Sequence, residues 1–239
     1  MKILVLSDLH IGDGGDFDKC TWDDESLIEQ LENLKEKNSV ELIVLNGDTL
    51  ELHVFFYSEI LAGTHRRLAE YLLNTPYIKW VRGNHDAQLT KYPRSLTIDR
   101  VIIQHGDQVD PLGWKIVQKI STWWNIRVLR FVYRKDPQRL RQFLVSVIKT
   151  GYKASTNTLR HMKYALRLLS THDMVVLGHT HQMQNVELYY NNQQKVYLNS
   201  GTAMAHIEAF IIDTETLDYT ILRPNRRKEL PPWGQFDII

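Results

Sequence analysis

One cysteine, Cys20, excludes any internal disulfide framework and fits a reducing compartment. A reactive thiol needs an electropositive setting, and Cys20 has a single Lys19 beside it among Asp16, Asp18, Asp23 and Asp24, which does not supply one. No stretch approaches the roughly 20 apolar residues of a membrane-spanning helix. The opening run Met1–Leu6 is too short for the apolar core of a signal peptide, and acidic residues follow soon after. The expectation is therefore a cytoplasmic protein, with peripheral membrane contact left open. Internal repeats and low-complexity segments are lacking. Acidic residues are also nearly missing from one long segment, residues 111–170, where thirteen Lys and Arg face only Asp136. That segment carries +12 in a chain whose total is +1, which leaves −11 on the remainder.

What is present is an alternation of apolar runs and helical periods. Glu41–Asp48 passes through Leu-Ile-Val-Leu-Asn into Gly47 and then a carboxylate. Such a run reads as a strand buried on both faces, which belongs to a parallel sheet covered by helices. Ligands of such sheets bind beyond the carboxyl ends of the strands. Lys2–Leu6 and Tyr77–Val81 are further strands, and Trp22–Lys37 is a helix with Leu27, Leu31 and Leu34 on one face. Val54–Leu73 reads as one helix burying Ile60, Leu61, Leu68 and Leu72. Later strands are expected at Ser95–Ile98, Val101–Gln104 and Met174–Leu177. Two antiparallel pairs follow: Gln182–Tyr190 with Lys195–Leu198 around Asn191-Asn192, and Ile207–Ile212 with Tyr219–Leu222. The basic segment shows helical faces at Leu140, Phe143, Leu144, Val147 and Ile148, and again at Leu159, Met162, Ala165, Leu166 and Leu169.

Five of the strands end in Asp, His or Asn: Asp8 and His10, then Asp48, then Asn84 and His85, then His105, then His179 and His181. Each has an ordinary explanation as a cap or a hydrogen-bonding group. Together they form a ligand set of carboxylate, amide and imidazole, suited to Mn²⁺, Fe²⁺ or Zn²⁺. Seven or more candidate ligands exceed what one catalytic ion uses if it keeps a place open for water. Two ions need a bridging carboxylate, and Asp48 is placed to be one. Asp107 is read as orienting His105, and His53 lies close enough in sequence to reach the site.

The motifs Asp8-x-His10, Gly47-Asp48, Gly83-Asn84-His85-Asp86, His105-Gly-Asp107 and Gly178-His179-x-His181 resemble, in order, those of calcineurin-like metallophosphoesterases. The resemblance implies an α/β fold of four layers, two mixed sheets face to face with helices outside, here with a helical cap insertion. The core would be residues 1–110 and 171–223, the insertion 111–170, and 224–239 a tail. It assigns Asp8, His10 and His181 to one metal and Asn84, His105 and His179 to the other, with Asp48 shared. His85 would protonate the leaving oxygen or hold the phosphate, and Asp86 would orient its ring.

The insertion between the fourth and fifth motifs is similar to that of the UDP-2,3-diacylglucosamine pyrophosphatases, which use manganese at the inner membrane. This sequence departs from that subgroup at His85, where the subgroup has Arg, and in Gly47-Asp48-Thr-Leu-Glu51, which only approximates its pattern. The expected substrate is a phosphorylated small molecule or lipid nucleotide, received by Lys149, Lys153, Arg160 and Lys163 of the basic cap. An anionic membrane surface is a further expected partner. The alternative is a nuclease or nucleotide phosphodiesterase, since a basic, aromatic surface also suits nucleic acid. A non-enzymatic scaffold is the remote alternative.

Overall fold

The computed structural model describes residues 1–110, 158–190 and 192–224. Lys149 and Lys153, the helical face around Leu140–Ile148 and the tail beyond Pro224 lie outside them.

Two five-stranded mixed sheets form the centre. In the first, β1 (Lys2–Leu6), β2 (Leu42–Asn46) and β3 (Ile78–Val81) run parallel, with Ile3 opposite Leu42 and Ile43 opposite Ile78. Antiparallel strands extend the sheet on the other side of β1. In chain order the second sheet contributes β4 (Ser95–Ile98), β5 (Val101–Gln104), β6 (Met174–Leu177), β7 (Gln184–Tyr190) and β8 (Gln193–Asn199); then β9 (Ala209–Asp213) and β10 (Tyr219–Leu222) return to the first. The orders are β10-β9-β1-β2-β3 and β4-β5-β6-β8-β7. Strands β5, β6 and β8 are parallel, so both sheets send parallel strand ends toward one edge. Asn192 takes a left-handed conformation (φ +59°) in the tight β7–β8 hairpin, as such turns require.

Alternation along the strands builds the layers. Ile3 and Val5 pack between the sheets with Val44, Val101, Ile103, Met174 and Phe210. Leu4 and Leu6 point the other way, against Leu27 and Leu31 of α1 (Asp24–Asn38) and Leu68 and Leu72 of a later helix. Both faces of β1 are therefore buried, which is why its sequence is an unbroken apolar run. Helix α1 starts at Asp23, whose carboxylate accepts the Ser26 N–H at 3.0 Å, and ends at Ser39 in the left-handed region.

The stretch expected as one helix at Val54–Leu73 is two: α2 (Tyr57–Ala62) and α3 (Arg66–Asn74). Between them the backbone of Asp13 presses on Gly63, where a β-carbon would lie 2.8 Å from the Asp13 Cα. Asp13 also takes the Thr64 N–H at 3.1 Å. Leu61, expected in the core, is only partly buried against it.

The fourth layer is α4 (Thr158–Leu168), on the outer face of the second sheet. Ala165 and Leu169 pack there on Ile102, Val175, Leu177 and Tyr197. Its buried line is His161, Ala165, Leu169, a spacing of four, while Leu159 and Leu166 of the expected face are exposed. Among the described residues no helix is long and apolar enough to cross a membrane.

Candidate metal centre

The site forms where β1, β2, β3, β5 and β6 end. Asp8, His10, Asp48, His179 and His181 all have positive φ, between 50° and 71°, and they are most of the non-glycine residues described in that region. Each such residue costs on the order of 1–3 kcal/mol and persists only where its surroundings hold it. Backbone bonds do so here. Asp8 N–H donates to the Gly47 carbonyl (3.0 Å), His10 N–H to that of Asp48 (2.9 Å) and Gly178 N–H to that of His105 (2.8 Å). Gly47 (φ +86°) and Gly83 leave the room: a β-carbon on Gly47 would run into the His105 ring, and one on Gly83 would lie 2.7 Å from both the Asp48 nitrogen and the His105 Cδ2.

Beside a group of His10, Glu51 and His85, two groups of donors hold the expected ligands. In the first, His181 Nε2 is 3.1 Å from Asp8 Oδ1, and His10 Nε2 is 3.3 Å from His181 Nε2. In the second, His105 Nε2 is 3.1 Å from Asp48 Oδ2, and His179 offers a nitrogen within 4.8 Å of both residues. Asp48 Oδ2 is also 4.0 Å from His10 Nε2, so its carboxylate stands between the groups. Asn84 follows β3, its amide oxygen buried without a hydrogen-bond partner, as is Asp8 Oδ1.

This donor set fits a cation. His105 Nδ1–H donates to the Asn46 carbonyl at 2.8 Å, which leaves a lone pair on Nε2 facing the Asp48 carboxylate. Two acceptors so close and so buried repel unless a proton or a cation joins them. The titration directions express the same demand. Burial disfavours a charged His105, yet the carboxylates of Asp48 and Asp8 raise its pKa well above the ordinary value. Burial likewise opposes ionisation of Asp8 and Asp48. The imidazoles of His181 and His105 around Asp8, and of His105 and His85 around Asp48, nevertheless hold both carboxyls well below the usual range. His10 is pulled down by burial and by Lys19, but Asp8 and Glu51 push it up to about 9.

Two expected orienting roles move to other residues. Asp86 does not hold the His85 ring. Its carboxylate accepts the N–H groups of Gly83 (2.6 Å) and Thr49 (2.8 Å), tying the β3 loop to the β2 loop. Burial, with Asp48 nearby, pushes Asp86 up to about 7. The His85 ring is held by Glu51, which accepts its Nδ1–H. The same fully buried carboxylate accepts the His10 Nδ1–H at 2.9 Å and pairs with Lys19 Nζ at 2.7 Å. Asp107 does not orient His105 either. That ring is held by the Asn46 carbonyl, and Asp107 faces Arg94 Nη1 at 3.4 Å.

Glu51 and Asp110 escape the sequence reading. Glu51 carries a signal, an acid three residues after Asp48 in a segment heading into apolar sequence. Asp110, whose Oδ2 is 3.1 Å from His179 Nε2, carries none, since it ends no strand. His53 does reach the site. Its ring lies 4.1 Å from that of His85, tilted by 30°, and burial followed by the His85 charge lowers it to about 3. The same burial lowers His85, against Glu51 and Asp48. Arg160 and Lys163 are exposed on α4.

A family model for calcineurin-like phosphoesterases matches residues 1–183. No curated protein matches the sequence. Similar solved structures include a novel archaeal phosphodiesterase, 17% identical with a TM-score of 0.43, over 93% of this chain and 99% of that one. The Escherichia coli phosphoesterase Yfce is 13% identical with a TM-score of 0.40, over 93% and 98%. A dimetal phosphatase from Danio rerio is 11% identical with a TM-score of 0.46, over 88% and 91%.

Proposed function

The chain belongs to the calcineurin-like phosphoesterase family and is a metal-dependent hydrolase; from that premise we propose that it cleaves a phosphodiester or pyrophosphate bond using two divalent ions that share Asp48. The observation that carries this reading is the carboxylate of Asp48, 3.1 Å from His105 Nε2 and 4.0 Å from His10 Nε2, between two clusters of donors. Asp8, His10 and His181 would hold one ion, and Asn84, His105 and His179 the other. Manganese is the expected ion, and iron or zinc suits the same donors. Such a pair, when bound, polarises a phosphoryl group and lowers the pKa of water.

The chain's own residues supply the rest. Glu51 fixes Nδ1 of His85, so Nε2 is the free nitrogen, 3.9 Å from Asp48 Oδ2. Protonated at Nε2 as well, the imidazolium held by Glu51 is placed to give that proton to the departing oxygen or to hold a phosphate oxygen. His53 stacks beside the ring and shields one of its faces. Asp86 keeps the loops carrying Asp48 and His85 in register.

For the substrate we favour an amphiphilic one such as a UDP-diacylglucosamine-like lipid nucleotide. Residues 111–170 carry +12. On α4 the exposed Leu159 and Leu166 stand among the exposed Arg160, Lys163 and Arg167, so apolar and cationic surface adjoin. Each basic residue near an anionic lipid surface contributes about 1 kcal/mol. The same charge favours nucleic acid as the second reading. A panel of UDP-diacylglucosamine, dinucleotides, cyclic nucleotides and single-stranded DNA, assayed with Mn²⁺, tests both. Cleavage of the lipid nucleotide in preference to the others supports the first reading, and preference for DNA replaces it with the second. No hydrolysis of any phosphoester rejects the proposed chemistry.

A further inference from the structure

We propose, on the reading that His179 holds a metal ion, that Asp110 is the positioning residue that makes His179 bind through Nδ1, the opposite nitrogen from the one His105 offers. The side chain of Asp110 is 1% exposed, and its Oδ2 lies 3.1 Å from His179 Nε2. A carboxylate accepts, so Nε2 carries the hydrogen and Nδ1 the lone pair. His105 is built the other way round, with Nδ1–H on the Asn46 carbonyl and Nε2 directed at Asp48. His10 follows His105, since its Nδ1–H goes to Glu51.

Asp110 stands behind the ring rather than among the ligands. Among the described residues, His179 groups with Asp48 and His105 with all donor atoms within 4.8 Å, and Asp110 belongs to no such group. His179 needs this support. Its backbone is in the left-handed region (φ +71°), so the strand that precedes it does not fix the direction of its ring. Two other imidazoles stand beside the ring, the nearer being His105, with centroids 5.1 Å apart at 72°. His161, buried in the first turns of α4, lies with its ring centroid 5.9 Å from that of His179 at 33°. Asp110 stands immediately before the basic insertion, and His161 lies within it, on α4. Partners of this kind fix the tautomer and raise the basicity of a ligating imidazole, and their loss typically costs about 10–100-fold in metal affinity.

The test uses the full chain labelled with ¹⁵N-histidine, with zinc as a diamagnetic probe and a His179→Gln spectrum for assignment. Long-range ¹H–¹⁵N correlation in the zinc-loaded protein should show His179 protonated at Nε2 and shifted at Nδ1, and His105 the reverse. Zinc at Nε2 of His179 overturns the proposal while leaving His179 a ligand. No zinc-dependent change at His179 overturns the ligand reading and the proposal with it. Calorimetric zinc affinity gives an independent check. Asp110→Ala should weaken one site about 10–100-fold, and Asp110→Asn, whose amide oxygen can accept the same hydrogen bond, should recover part of that loss. A folded Asp110→Ala protein that binds zinc as the parent does overturns the proposal. If that variant does not fold, the tautomer assignment on the parent protein decides alone.

Discussion

Glu51 accepts the Nδ1–H of His85 and sends its other oxygen to Nδ1 of His10, so one buried carboxylate orients imidazoles from two different strand ends. Replacing it with Gln keeps the shape but turns one acceptor into a donor, which forces the wrong tautomer on one of the two rings. Glu51→Gln should lower kcat on a chromogenic phosphodiester about 10–100-fold, the usual cost of losing such a partner. A kcat within twofold of the parent would show that Glu51 does not set these rings.

His85 and Asp48 should separate chemistry from metal binding. His85→Ala is expected to leave metal content near normal and to cut turnover about 10²–10⁴-fold, the range for loss of a general acid. Asp48→Asn should lose metal and activity together. Elemental analysis beside the rate measurement distinguishes them, and full activity of His85→Ala on every phosphodiester tried removes the role given to that residue.

Gly83→Ala tests the close packing under the site. Its β-carbon would lie 2.7 Å from the Asp48 nitrogen and from the His105 ring, both of them buried and tied to backbone. Overpacking of this kind costs about 1–3 kcal/mol. Urea unfolding should show a loss in that range together with weakened metal binding. An unchanged midpoint and unchanged metal affinity would mean that Asp48 and His105 can move apart freely.

Cys20 is 6% exposed, and burial pushes its thiol up to about 12. The thiolate is the reactive form, and at pH 8 almost none is present. The folded protein should not react with a thiol reagent such as dithionitrobenzoate at pH 8, and one equivalent should react once denaturant is added. Prompt reaction of the folded protein would contradict the burial of this residue.

The basic cap is tested by charge reversal. Changing Lys149, Lys153, Arg160 and Lys163 together to Glu should weaken cleavage of the lipid nucleotide and spare a small chromogenic phosphodiester. Equal loss on both substrates would make the segment structural. A salt titration of binding to single-stranded DNA, set beside binding to detergent micelles, separates the two substrate classes.

The strands are legible in the sequence because burial on two faces writes an apolar run. Lys2–Leu6, Val101–Gln104 and Met174–Leu177 have the bounds read from their residues. The donors at strand ends are legible for a related reason, since polar residues that close apolar runs stand out. Contacts between distant segments are not. The break at Gly63 depends on Asp13, and the Asp86 carboxylate, a neighbour of His85 in sequence, turns to Gly83 and Thr49 while Glu51 takes the ring. The buried face of α4 follows His161 and Ala165, with Met162 partly buried beside them, rather than Leu159 and Leu166, and that choice is made by contacts with Ile102, Val175 and Tyr197 from distant segments.

The most direct measurement is anomalous diffraction from crystals grown with Mn²⁺. Two peaks about 3.5–4 Å apart are expected, one among Asp8, His10 and His181 and one among Asn84, His105 and His179, with Asp48 touching both. Density at neither position, from protein that no divalent ion activates, would contradict the shared-carboxylate centre outright.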